Sequence, residues 1–430
     1  MKSYIRNLPF VNLWNKWGIR AGLSIVDQII FSGTTFFLNV FLARWLIPSE
    51  YGVFVIGFSI FIFISGFHQA LILEPVSIIG STRYRDKLNT YLAATVWIHC
   101  VLTLIFSSVL LLVAIIMRLE KNSLFGSFLG LGFTVPFILF YWFFRQVCYL
   151  QTKPSLALTS SLIYIFILFL GLITIYKMKW LSSFSAFIIM GIASIGASLV
   201  FWNSLKIKLI DLRWVKVKLT IRNILSDHWR YGKWVIGSAF VSWLSYFVYL
   251  PLIGIFLGFA SVGGFRAMQN TFLPIQKVLT ALSVLFIPLA AKQRVIQGKG
   301  YLKRNLVRFT LVSILLTSVY VVPVVLFGKP ITKILYGAGY YVDFVQLLPW
   351  LGAVAIIESM GYGLGIGLKV LERSNSLFWA QLIGTIFTFS LGLYLIWKFG
   401  LYGAALGTFL ALFLIMIVES CFLWNQLRQA

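Results

Sequence analysis

Apolar positions run through this chain in long unbroken windows, without the alternating period of a barrel strand and without the narrow stripe of a water-facing helix. The windows fall near 20–44, 52–79, 88–116, 123–150, 155–176, 182–204, 233–257, 264–291, 306–328, 344–369, 375–397 and 400–424, which predicts twelve helices. Each reaches the roughly 20 apolar residues that cross a bilayer. Helix is the state that satisfies its own backbone there. The long second, third, eighth and tenth windows imply tilt, or ends that pass beyond the hydrocarbon.

Short polar turns separate the windows. WLIPSEYG joins the first two, spending Pro48, Ser49, Glu50 and Gly52 on a tight hairpin. A shift of 212 lays Pro48 to Phe54 on Ala260 to Arg266, again a turn between two apolar runs, and Glu74-Pro75 then matches Ile287-Pro288. A shift of 220 lays LQTKPSLAL at 150–158 on VLERSNSLF at 370–378. These echoes predict an all-α polytopic membrane protein of two parallel six-helix lobes around a central cavity. The expected organisation is an interfacial segment 1–19, lobes 20–204 and 233–424, a basic linker 205–232 and a tail 425–430.

Composition agrees: 60% hydrophobic, 11% charged and a mean hydropathy of +0.93 describe a chain that belongs in lipid. The net charge of +25 is a matter of sidedness. Of 36 Lys and Arg, nine (Arg44, Arg118, Lys121, Lys177, Lys179, Arg266, Lys329, Lys333 and Lys398) fall on one face. Lys277 lies within a span, and the other 26 are on the opposite face. The positive-inside rule puts both termini of this multi-pass membrane protein in the cytoplasm. Anionic membrane lipids are the expected partner of the basic face; a nucleic-acid role is excluded because no aromatic-interleaved soluble patch accompanies the charge. Cys100, Cys148 and Cys421 lack paired spacing, so no metal and no cofactor is expected.

Polar groups inside spans each need a reason. Gln28, Ser32, Thr35 and Asn39 form a stripe on the first helix, with Asp27 beside it. Lys277 lies about 13 residues into the eighth helix, roughly 20 Å deep, and shares a face with Asn270 and Pro274. These two sets are the expected opposite walls of the cavity. Glu358 sits among Gly361, Gly363, Gly365 and Gly367 of the tenth helix, where close helix contact or bending is easy. Internal ion pairs are the bland alternative: Asp27 with Arg20 or Lys277, Glu358 with Lys277, Glu74 with the Arg83 cluster or Arg145. His68 and His99 read as lone, satisfied polar residues.

The LAR-x-L-x-P-x-E-YG-x-F pattern at 42–54, the Leu150-Gln151-Thr152-Lys153-Pro154 junction and Gly400-Leu401-Tyr402-Gly403-Ala404-Ala405 together resemble the polysaccharide-lipid flippases. That group includes the O-antigen and exopolysaccharide translocases of the multidrug/oligosaccharidyl-lipid/polysaccharide exporter superfamily. The resemblance implies a MATE-like, two-lobed cell inner-membrane protein moving undecaprenyl-diphosphate-linked oligosaccharide from the inner to the outer leaflet by alternating access, beside a polysaccharide polymerase machinery. It makes Lys277 a diphosphate contact and Trp243, Tyr246 and Tyr249 sugar platforms. A lipid II flippase type of cavity would carry several basic groups, whereas the sequence shows one lysine within a span.

The rival reading is a cation-coupled multidrug extruder, with Asp27 and Glu358 binding a coupling H+ or Na+. A membrane polymerase or ligase would need catalytic groups on a large external loop. The loops here are short and carry no paired carboxylates, His cluster or nucleotide-binding loop, which argues against an enzyme.

Overall fold

The computed structural model describes residues 9–204, 214–337 and 339–428. Regular structure among them is helical. The order is α1 (Pro9–Trp45), α2 (Pro48–His68), a π turn at Gln69–Leu73 and a short helical end at Glu74–Ile78. Then come α3 (Leu88–Leu119), α4 (Phe125–Leu150), α5 (Pro154–Lys177), α6 (Ser183–Ser204), α7 (Trp214–Tyr246) and α8 (Tyr249–Leu257). The chain continues through α9 (Phe259–Asn270), α10 (Leu273–Leu326), α11 (Gly328–Tyr336), α12 (Leu348–Val370), α13 (Ser374–Phe387) and α14 (Leu393–Arg428).

Nine of the described helical segments are long and apolar enough to cross a membrane, ten with the bent pair Val235–Tyr246 and Tyr249–Leu257 taken as one span. Two of these, Leu273–Leu326 and Asn375–Arg428, hold 54 residues each, about 80 Å of helix and far more than one crossing. Each turns at a glycine, Gly298 with φ +77° and Gly400 with φ +58°, a region that side chains with a Cβ resist. Only when both are divided there do the ten segments give the twelve legs that hydropathy predicts. The expected eighth window is not one helix, because Thr271 and Phe272 separate α9 from α10. The expected linker is partly helical: 214–232 is the opening of α7, while 205–213 lies outside the described residues, as do 1–8 of the interfacial segment.

The chain forms two compact units, Met1–Leu38 with Ile60–Ala239, and Asn39–Ser59 with Phe240–Ala430. In the first, α4 is the central helix. Leu131, Val135, Leu139, Phe143 and Val147, four residues apart, are all buried, one face against α3 and α6. α3 is built inside out: Thr95, His99, Thr103 and Ser107 point inward, and Val101, Leu104, Ile105, Leu112 and Ile115 face outward. Lipid makes that orientation favourable, because the inward hydroxyls find carbonyls, as Ser107 Oγ does at Gly132 O (2.6 Å). His68 and His99 are not lone. His68 Nε2 and His99 Nδ1 are 2.9 Å apart in the interior of this unit.

In the second unit the WLIPSEYG hairpin packs against the start of α9. Pro48 opens α2 at a position where its missing N–H costs nothing. A Cβ on Gly52 would run into the Phe259 carbonyl, and one on Gly263 into the Pro48 carbonyl. The two contacts are reciprocal under a shift of 211 residues, one less than the shift read from the sequence. The first turns of α2 and α9 thus pack backbone against backbone.

Candidate functional site

In the first unit, Asp27 is fully buried and both its carboxylate oxygens are engaged. Arg145 Nη2 of α4 is 2.5 Å from Oδ2, Ser161 Oγ of α5 donates to Oδ1 at 2.5 Å, and the Tyr149 hydroxyl of α4 donates to Oδ2. The Arg145 guanidinium lies 3.8 Å from the Phe31 ring centroid, a cation–π contact on α1. One carboxylate thus fastens α1, α4 and α5. This corrects two expectations. Asp27 pairs with Arg145 and not with Arg20 or Lys277, and Glu74 accepts from the Tyr231 hydroxyl at 3.1 Å. Neighbouring Gln28 is exposed and reaches the Tyr149 hydroxyl at 3.4 Å. The reason for the pairing is spatial: Arg145 is buried in α4 with its charge needing a partner at the same depth.

In the second unit, Tyr51 is the hub. Its hydroxyl donates to Asn39 Oδ1 (3.2 Å) and accepts from Asn270 Nδ2 (2.8 Å). All three side chains are buried, and Asn270 Oδ1 is left without a partner. Asn39 and Asn270, expected on opposite cavity walls, therefore meet through Tyr51 of the first hairpin. Asn270 also does not share a face with Lys277: it is sealed in α9, whereas the Lys277 side chain is exposed on α10.

Lys277 makes no ion pair among the described residues, unlike Arg83 with Asp227 and Arg145 with Asp27. It interacts electrostatically with Glu358 and with Arg266 of α9. Glu358 accepts from Gln276 Nε2 at 2.6 Å, so the neighbour of Lys277, not Lys277, holds it. Arg266, assigned from the sequence to the face with nine cations, is a half-buried helical residue whose guanidinium donates to Gln269 Oε1 at 3.4 Å.

Glu358 lines a cavity of about 330 Å³ inside the second unit. Tyr246, Thr280, Tyr362, Lys369, Gln381 and Glu419 share its wall. Gly361 and Gly365 open onto it, while the alternating Gly363 and Gly367 pack against Thr310 and against Leu306 and Leu423. Glu419 of α14 was not singled out by the sequence. It is 7% exposed, and no hydrogen bond reaches it among the described residues. Of the three expected sugar platforms, Tyr246 lines the cavity and Trp243 donates Nε1–H to the Ser59 carbonyl at 2.7 Å. Tyr249 is corrected: its ring is buried against Gly392 and Gly407, leaving no face for a sugar.

No family model matches the chain, and no curated relative does. Solved structures do. An inward-facing multidrug resistance MATE family transporter of the MOP superfamily superposes with a TM-score of 0.77 at 12% identity, covering 94% of this chain and 98% of that one. The lipid II flippase MurJ in an inward closed conformation gives 0.66 at 15% identity, covering 93% and 87%. A MOP superfamily transporter from Pyrococcus furiosus, described as having a binding pocket of reverse polarity suggesting a different function, gives 0.63 at 12%, with 95% of each chain covered. The neighbours are transporters and a flippase, and the chain has the MATE-like fold that these MOP-superfamily proteins share.

Proposed function

We propose that this protein is a flippase for undecaprenyl-diphosphate-linked oligosaccharide in the bacterial inner membrane. The observation that carries the reading is Lys277, an exposed residue of an apolar helix with no carboxylate in ion-pair contact among the described residues. A lysine within a span that no carboxylate meets in an ion pair keeps donors for an anion, and lysine binds phosphate as a point charge. Desolvating the diphosphate and sugars in hydrocarbon is prohibitive, so the head crosses on protein groups while the polyprenyl tail stays in lipid. The likeness to a lipid II flippase supports the reading at the level of fold. The test is reconstitution: proteoliposomes holding a polyprenyl-diphosphate oligosaccharide in the inner leaflet should expose it to an external glycosidase only when the protein is present. No exposure above protein-free vesicles would refute it.

A second reading, a cation-coupled extruder, is favoured by the carboxylates Glu358 and Glu419 on one cavity wall. It requires that the same proteoliposomes accumulate an organic cation against a proton or sodium gradient. Lys369 on that wall reduces the negative field such a substrate would need.

A further inference from the structure

The opening half of α7 was expected to be a linker. It is a helix with two unlike faces. Ile224, His228 and Gly232 are buried against the first unit, and Ile221 and Tyr231 are half-buried on the same side. The exposed arc carries Arg222, Leu225, Trp229, Arg230 and Lys233, with Leu225 50% and Trp229 57% exposed. That arc holds no carboxylate, since Asp227 is turned to Arg83 at 2.5 Å and to the Tyr84 hydroxyl at 2.7 Å.

Its depth follows from its packing. α7 runs antiparallel along the second span: Ala239 meets Gly66, Gly232 meets Ala70, His228 Nδ1 donates to the Leu71 carbonyl at 2.8 Å, and Asp227 holds Arg83. The arc is therefore level with the last two turns of the span Pro48–Ile78 and the basic turn after it. That is the height of the lipid headgroups on the side bearing the basic loops. Cations flanking a tryptophan and a leucine at that height match a surface of phosphates above acyl chains.

We infer that Arg222, Trp229 and Arg230 form a binding face for anionic phospholipid headgroups of that leaflet. The inference stands independently of what the protein transports. The occupant is a membrane phospholipid and not a free anion, because Leu225 and Trp229 give the site an acyl-facing edge that inorganic phosphate cannot use.

The experiment uses the full-length protein in detergent, with retained phosphatidylglycerol and phosphatidylcholine counted by native mass spectrometry as each is titrated. Arg222→Ala/Arg230→Ala should weaken phosphatidylglycerol binding by about 5-fold per cation removed, roughly 30-fold in all, from about 1 kcal/mol per basic residue near an anionic surface. Phosphatidylcholine binding should not change, and Arg222→Lys/Arg230→Lys should keep most of the selectivity. Equal phosphatidylglycerol binding by wild type and the alanine variant overturns the inference. So does competition by inorganic phosphate at concentrations that leave ionic strength unchanged. As a check that needs no charge removal, a spin label at Ser226→Cys, with Cys421→Ser, should collide with a headgroup-attached quencher in phosphatidylglycerol nanodiscs. Water-like accessibility there overturns it too.

Discussion

Arg145 and Asp27 sit 2.5 Å apart in the interior of the first unit, one on α4 and the other on α1, with Ser161 and Tyr149 completing the carboxylate's hydrogen bonds. A buried pair of this kind does little for net stability, yet removing one member strands the other charge.

Asp27→Asn or Arg145→Leu alone should each destabilise the protein by about 3–5 kcal/mol, whereas the double variant should lose clearly less than the sum. Thermal unfolding of the four purified proteins in one detergent checks this. Additive losses would show that the pair is not the unit holding α1 to α4.

Tyr51→Phe should cost about 1–3 kcal/mol, because Asn39 and Asn270 each lose their bond to its hydroxyl within a buried site. Asn270→Leu in the Tyr51→Phe background should recover part of the loss by removing an orphaned amide. A Tyr51→Phe protein with unchanged unfolding temperature would mean that the hydroxyl's bonds are replaced locally.

Gly52→Ala and Gly263→Ala should each destabilise by about 1–3 kcal/mol through overpacking, since either methyl group enters a backbone carbonyl of the opposing turn. Gly237→Ala, where a Cβ meets nothing, is the matched control and should be neutral or slightly stabilising. Equal effects at all three sites would contradict the reciprocal contact.

His228 lies before the span of α7 and needs its neutral form: Nδ1–H donates to the Leu71 carbonyl, which leaves Nε2 to accept from the Tyr91 hydroxyl. Burial holds its pKa below the ordinary 6.5, outweighing the Leu71 hydrogen bond and the Asp227 charge, which act the other way. The folded state then binds this proton less readily than the unfolded one. The contribution of His228 is complete above pH 6.5 and falls as pH drops below that value toward the depressed folded pKa. Wild type should lose more unfolding temperature between pH 8 and pH 5 than His228→Gln does. Identical acid profiles would exclude His228 as a titrating group. Arg83, Tyr84, Asp227 and Glu74 are the other ionisable groups of this cluster and are common to both proteins.

The spans were legible in the sequence because lipid leaves little choice: a run of 20 apolar residues must be a helix, whichever neighbours it has. Two breaks were legible as well, since Gly298 falls in the gap between two apolar windows and Gly400 at the start of the last one. The others were not: the bend between Tyr246 and Tyr249 and the gap at Thr271 and Phe272 lie inside unbroken apolar windows, and the bend carries no proline at its vertex. Of the candidate site, Glu358 and Tyr246 meet on one cavity as residues of tenth and seventh spans, but Glu419 was hidden as one acid near the chain end. Asp27 was visible and its partner was not, since a pair separated by 118 positions leaves no local spacing to read. His68 and His99 failed for the same reason, 31 positions apart on different helices.

The central claim is that Lys277 receives the anionic head of a lipid-linked glycan, and its most direct test is translocation in proteoliposomes by wild type, Lys277→Arg and Lys277→Gln at equal protein density. The account predicts that Lys277→Arg keeps most of the rate while Lys277→Gln loses about tenfold or more, as removal of one charge-assisted hydrogen bond to phosphate implies. Equal rates for Lys277→Gln and wild type would contradict it.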